Sequence, residues 1–276
     1  MIDKFLNNRF FILYFAPFCI GSLAILSFPP FNLTLVNFII FPLFFYLIVY
    51  INKKSKSVYR KKPYKKNLFI FGLLFGFGFY LSGISWISNS LTFDENFKIL
   101  IPFALISVPL FLSLFTAITI VLVGTHLKYN LTSLLLFSGS IAITDYVRAK
   151  LFTGFPWNLW AYSTSWANEI LQILSLTGFY AYNLFVITFF TLPAIIFFKV
   201  NTVIKFFTFL LICLFIFCLY IYGNYEINKN NKLLKQINEK SFVKVISPNF
   251  DLKYGLSEKE IKERFKKLIR YSDPNK

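Results

Sequence analysis

Asp145 and Arg148 stand three residues apart near the end of an apolar run, a spacing that places an acid and a base on one face of a helix. Charge beside hydrocarbon is expensive, so such a pair is either an interfacial anchor for the helix end or a contact for a charged lipid headgroup. The sequence leaves both open. Directly after it comes Leu151–Trp160, LFTGFPWNLW, with two Trp, two Phe, a Gly and a Pro in ten residues. Aromatic residues at that density suit the headgroup level of a membrane. A belt, however, needs neither Gly nor Pro. Thr153-Gly154-Phe155-Pro156-Trp157 joins free backbone to fixed backbone, the composition of a specified loop. The candidate lipid- or substrate-contacting residues are therefore Asp145, Arg148, Phe152, Gly154, Phe155, Pro156 and Trp157.

Other chemistry is sparse. The single histidine, His126, cannot build a His-based metal site by itself. No G-x-S-x-G elbow, C-x-x-C pair or phosphate-cradling Gly-rich loop followed by Lys occurs. Cys19, Cys213 and Cys218 lie inside apolar runs and are expected to be buried small hydrophobes rather than disulfide partners. Glu258, Glu260 and Glu263 are spaced as the solvated face of a helix. No catalytic residue, metal site or cofactor is expected in this chain.

The elements that must position these residues are membrane helices. Hydrophobic residues make up 57% of the 276 and charged ones only 15%, and mean hydropathy is +0.61; soluble domains carry roughly 25% charged residues. Apolar residues fall in seven long runs: Phe10–Ser27, Phe31–Ile51, Leu68–Leu91, Ile99–Val123, Leu131–Val147, Leu171–Phe198 and Thr202–Tyr222. Each approaches the roughly 20 residues that span a bilayer core. The first two, joined at Phe28-Pro29-Pro30, form either two spans or a short hairpin. In the third run, Gly72 and Gly76 make a small-xxx-small step extended by Gly83. That pattern suits close helix packing, with a lipid-lining groove as the alternative.

The net charge of +17 invites a nucleic-acid partner, but its distribution argues against one. Asn52–Asn67 holds eight Lys or Arg and no acid, which places it in the cytoplasm. Counting outward, the N-terminus is cytoplasmic and everything after Tyr222 is periplasmic, in the inner membrane of a bacterium. Residues 1–223 are then a transmembrane bundle. Residues 224–276 are a polar linker (Asn224–Lys240), a short strand (Ser241–Pro248) and an amphipathic helix (Ser257–Tyr271). Ser257 and Glu260 make a capping box, and Ile261, Phe265, Leu268 and Ile269 form its apolar stripe. One strand and one helix are too small to be stable alone, so the tail reads as the first β-α unit of a larger α/β domain.

Three motifs in chain order carry a resemblance: LSFPPFNL at Leu26–Leu33, GFGFYLSGISWI at Gly76–Ile87 and DYVRAKLFTGFPW at Asp145–Trp157. Together they resemble the apolipoprotein N-acyltransferases, whose corresponding motif reads E-W-L-R-x-x-L-F-T-G-F-P-W. Asp145 and Tyr146 stand where that motif has Glu and Trp. VKVISPNFDLKY at Val243–Tyr254 is similar to the family's entry into a periplasmic nitrilase-like domain. The resemblance implies transfer of a fatty acyl chain from phospholipid to the N-terminal amine of a diacylglyceryl-cysteine lipoprotein. It implies a Glu-Lys-Cys set in the nitrilase-like half, which this sequence lacks, so the chain is expected to be truncated or split and inactive alone. The implied partners are phospholipid, diacylglyceryl-lipoprotein and a separate chain carrying the other half. A membrane scaffold recruiting an enzyme through Lys53–Lys66 or the tail is the alternative. A transporter is disfavoured because the spans lack buried ionisable residues.

Overall fold

A computed structural model describes residues 8–58, 64–151, 154–236, 243–251 and 255–272, and among these every regular element is helical. Helix α1 occupies Phe11–Ser27, with a π turn at Phe11–Phe15 and a 3-10 turn at Ile25–Ser27 around an α-helical centre. The longer helices follow as α2 (Asn37–Val58), α3 (Tyr64–Ile84), α4 (Ile101–Gly124), α5 (Leu131–Lys150), α6 (Phe179–Thr191) and α7 (Thr202–Gln236). Helix α8 (Glu258–Ser272) closes the described chain.

Among the described residues, five helical stretches are long and apolar enough to cross a membrane: Thr34–Lys54, Tyr64–Phe93, Glu95–Gly124, Phe179–Phe197 and Thr202–Gln236. The sequence suggested about seven. The shortfall is α1, which is too short, and α5, whose Thr, Ser, Asp, Arg and Lys residues dilute its apolar character. The expected run Leu171–Phe198 also starts later than its composition implies. Two single turns, Asn168–Leu171 and Leu174–Thr177, precede it, and Gly178 at φ +71° opens the long helix.

Aromatic rings fill the middle of the bundle. Phe44 of α2 stacks on Phe75 of α3 with centroids 3.8 Å apart. Trp160, from the segment after the Gly-Phe-Pro-Trp loop, packs on Phe41 at 4.6 Å and Phe79 at 4.7 Å. It is therefore a core residue, not part of an aromatic belt. Around this centre α3 packs between α1 and α4, where glycines bring the backbones together.

Helix α7 stands apart from this packing. Of its 35 residues only Ile212 and Gly223 are buried. Phe215 stacks on Phe189 at 4.5 Å, and a Cβ at Gly223 would overlap the Glu169 carbonyl oxygen, so one narrow line of α7 meets the bundle. Cys213 and Cys218 lie on its exposed side, contrary to the buried positions expected for them; Cys19 is half-buried. The helix also continues through Asn224–Gln236, where the sequence suggested a linker. At 1.5 Å per residue its 35 residues run about 52 Å, well past a 30 Å hydrocarbon core.

The expected strand at Ser241–Pro248 is not formed over its described part, Val243–Pro248. A strand needs a neighbour for its N–H and C=O groups, and the described residues supply none. The capping box is formed: Ser257 N donates to Glu260 Oε2 at 2.9 Å and Glu260 N donates to Ser257 Oγ at 3.3 Å. Ile261, Phe265 and Ile269 remain more than half exposed. Ser257→Ala removes the cap at about 1 kcal/mol. Amide exchange in the first turn of α8 should then speed up about fivefold, and an unchanged rate would contradict the cap.

Candidate functional site

The end of α5 carries a buried polar network. Asp145 is 5% exposed and Arg148 1%. The Arg148 guanidinium donates from Nη1 to the carbonyl oxygens of Phe155 and Trp157, both at 2.8 Å, and from Nη2 to Asp145 Oδ1 at 3.2 Å. Its charge also lies 5.3 Å from the centre of the Tyr80 ring. Asp145 Oδ2 accepts from Asn183 Nδ2 at 2.9 Å, and Asn183 Oδ1 accepts from Ala161 N at 2.8 Å. One ion pair thus ties α5 to the loop at Gly154–Trp157, to the segment at Trp160–Thr164 and to α6.

This geometry corrects two expectations. The pair is enclosed by protein groups and is not open to water as an interfacial anchor would be. Two ionisable residues are also buried in the bundle, both on α5, so the ground for disfavouring a transporter is removed; the two charges here neutralise each other. Burying a charged pair is tolerated where partners satisfy its hydrogen bonds. Asn183, which completes the set, was missed. A single amide in the otherwise apolar run of α6 was the available signal.

The loop folds back on the helix it follows. Gly154 N donates to the Leu151 carbonyl at 2.9 Å and Phe155 N to the Arg148 carbonyl at 3.2 Å. Gly154 sits at φ +80°, and a Cβ there would stand 2.6 Å from the Ala149 oxygen. Both the left-handed backbone and the close approach require glycine. Phe155 is half-buried, while Pro156 and Trp157 are exposed, with Trp157 edge-on to Trp86 at 5.5 Å. Phe152 lies outside the described residues. Gly154→Ala should cost about 2–3 kcal/mol and change the Trp157 fluorescence; full retention of both would contradict the loop geometry.

Beside this loop a cleft of about 370 Å³ runs along α4, lined by Ser107, Val108, Phe111 and Phe115 on one side and Arg148, Leu151, Gly154 and Phe155 on the other. A second, wholly apolar cavity of about 420 Å³ lies between α2, α6 and α7, bordered by Phe38, Trp166, Phe189 and Phe215. Its rim is held by Thr34, which donates to the Ser163 carbonyl at 2.5 Å and accepts from Trp166 Nε1 at 2.7 Å.

The three glycines singled out in α3 all meet close neighbours. A Cβ at Gly72 would stand 3.0 Å from Ala117 Cα, and one at Gly76 2.9 Å from Ser113 Cα, both on α4. At Gly83 it would overlap the Asn158 side chain and stand 2.5 Å from Ile25 Cδ1. Gly21 and Gly78 were not singled out. They form the tightest α1–α3 contact, each facing a backbone carbonyl oxygen of the other helix, Phe75 and Phe18 respectively. Outside the spans, burial raises the Tyr162 phenol above its usual range, with Tyr180 adding and Arg148 opposing. His126 is exposed, its Nδ1 2.9 Å from Thr125 Oγ1. Among the described residues no group of three or more His, Cys, Asp or Glu could hold a metal ion.

Long apolar helices, glycine-mediated helix contacts and an ion pair buried within the bundle define a polytopic membrane domain. Residues 20–192 match the family model described as the apolipoprotein N-acyltransferase N-terminal domain, and the chain belongs to that family. It is similar to the apolipoprotein N-acyltransferase of Bradyrhizobium diazoefficiens, with 33% identity over 63% of this chain and 32% of the relative. Against that of Brucella melitensis the identity is 29%, over 66% of this chain and 34% of the relative. Against that of Rickettsia prowazekii it is 37%, over 42% and 24% respectively. The chain spans about a third of the length of the first two of these relatives.

Proposed function

We propose that this chain supplies the membrane domain of an apolipoprotein N-acyltransferase, seated in a bacterial inner membrane with its N-terminus cytoplasmic and its tail periplasmic. Its substrates are then a phospholipid acyl donor and a diacylglyceryl-cysteine lipoprotein. The covalent steps fall to a nitrilase-like half carrying the Glu-Lys-Cys set, toward which residues 224–276 lead. The chain's own task is to admit a lipid tail and hold it near the outer face.

The observation that carries this reading is the Arg148 clamp. It fixes the backbone of the Gly154–Trp157 loop along one wall of the α4 cleft. A wall held by a buried cation keeps its shape while mobile lipid chains enter and leave, which loop backbone alone would not do. The cleft volume lies within the roughly 300–1,000 Å³ of small-ligand sites, near the lower end, and suits a single chain.

The test is a photoreactive phospholipid with a diazirine in its acyl chain, carried into nanodiscs with the protein. Cross-links should concentrate on Val108, Phe111, Leu151 and Phe155. Labelling spread evenly over the exposed faces of α4 and α7 would leave a scaffold as the better reading.

A further inference from the structure

Of the three guanidinium nitrogens of Arg148, two are committed to protein oxygens; the third, Nε, is buried and has no partner among the described residues. Its side chain is 0% exposed and forms part of the cleft wall. An unpaired donor in a dry site is unfavourable, and buried donors are nearly always satisfied, so one left open beside a cavity points to an acceptor that arrives from outside. We propose that Arg148 Nε–H donates to an ester carbonyl oxygen of a glycerophospholipid whose acyl chain lies in the cleft. The inference rests on the reading of the cleft given above and adds the chemical group that it selects.

The choice of a carbonyl over a phosphate follows from charge. Arg148 is already neutralised by Asp145 at 3.2 Å, so its Nε–H belongs to a pair of no net charge that borders the cleft. A phosphate would bring an uncompensated anion among Val108, Phe111, Leu112, Phe115, Leu151 and Phe155, at a large desolvation cost. A neutral ester oxygen satisfies the donor without that cost. The apolar wall along α4 then accommodates the methylene chain attached to the same carbonyl.

Native mass spectrometry on protein released from nanodiscs tests this without altering the protein. The discs hold equal amounts of diacyl and dialkyl-ether glycerophosphoethanolamine of matched chain length, which differ in the carbonyls alone. The diacyl lipid should be retained roughly tenfold over the ether lipid, the ratio expected of one hydrogen bond from a charged donor. A diazirine at the third acyl carbon should label Leu151, Gly154 or Phe155, and Ser107→Trp, which fills the cleft, should abolish both the preference and the label. Equal retention of the two lipids, both displaced by Ser107→Trp, would overturn the carbonyl contact and leave the acyl cleft standing. Retention that ignores Ser107→Trp, with no label in the cleft, would overturn both.

Discussion

Arg148→Met should destabilise the protein by about 3–5 kcal/mol, the cost of leaving one partner of a buried ion pair uncompensated. In a chain of this size that corresponds to an unfolding midpoint lower by roughly 10 °C. The loss has three parts. The Asp145 carboxyl is left in a buried site where only Asn183 remains as donor from a side chain, and the carbonyl oxygens of Phe155 and Trp157 each lose the donor they share. The double variant Asp145→Leu/Arg148→Met removes both charges and should recover part of the stability. It should not recover all of it, because the two loop carbonyls stay unpaired. Thermal unfolding of the four proteins of this cycle in one detergent gives the coupling between the two residues. A coupling near zero would mean that the ion pair is not the tie between α5 and the loop.

The second large effect is expected at the α1–α3 contact. Gly21→Ala and Gly78→Ala each place a Cβ against a backbone carbonyl oxygen, which no rotamer change can relieve. Each should cost about 3 kcal/mol, at the upper end of what overpacking usually costs. Gly76→Ala and Gly72→Ala meet α4 at 2.9 and 3.0 Å and should cost about half as much, since small shifts relieve them. Gly139 in α5 has nothing within 4 Å of its added Cβ. Gly139→Ala should therefore be neutral or stabilising by up to about 1 kcal/mol from helix propensity alone. Denaturant titration of the five variants reads the order directly, and a Gly139→Ala loss as large as that of Gly21→Ala would sink the packing argument.

Much of the architecture was legible because membrane helices announce themselves by composition. The apolar runs at Phe31–Ile51, Leu68–Leu91, Ile99–Val123 and Thr202–Tyr222 correspond to α2, α3, α4 and α7 to within several residues at most of their ends. What composition does not encode is where such a run stops being helix. Gln172, Ser175 and Gly178 interrupt the sixth run, and α7 continues through polar residues because helix propensity does not require apolarity. The tail strand failed for a different reason: β structure depends on partners, which local sequence cannot supply.

At the candidate site, Asp145, Arg148 and the Gly-Phe-Pro-Trp loop were found from residue type and spacing, and the expected pair is formed, but its burial was not foreseen. Three-residue spacing predicts pairing equally well on a wet and on a dry face, so it could not tell an interfacial pair from a buried one. Asn183 decides that question, and it lies 38 residues away on another helix. Gly72 and Gly76 were visible as a repeat, whereas Gly21 and Gly78 meet across two helices and leave no repeat to read.

The central claim is that this chain serves as the membrane domain of an apolipoprotein N-acyltransferase. Its most direct test is a chimera in which residues 20–192 replace the matching region of the Bradyrhizobium diazoefficiens relative. It is expressed in cells depleted of their own enzyme, beside a control that carries the Brucella melitensis region instead. The lipoproteins are then weighed by mass spectrometry. The account predicts that an added acyl chain appears on the N-terminal cysteine in both strains. It predicts further that Arg148→Met reduces the product of the first chimera alone. Lipoproteins that stay diacylated with the first chimera, present in the membrane at the control's level, while the control restores the third chain, would contradict it.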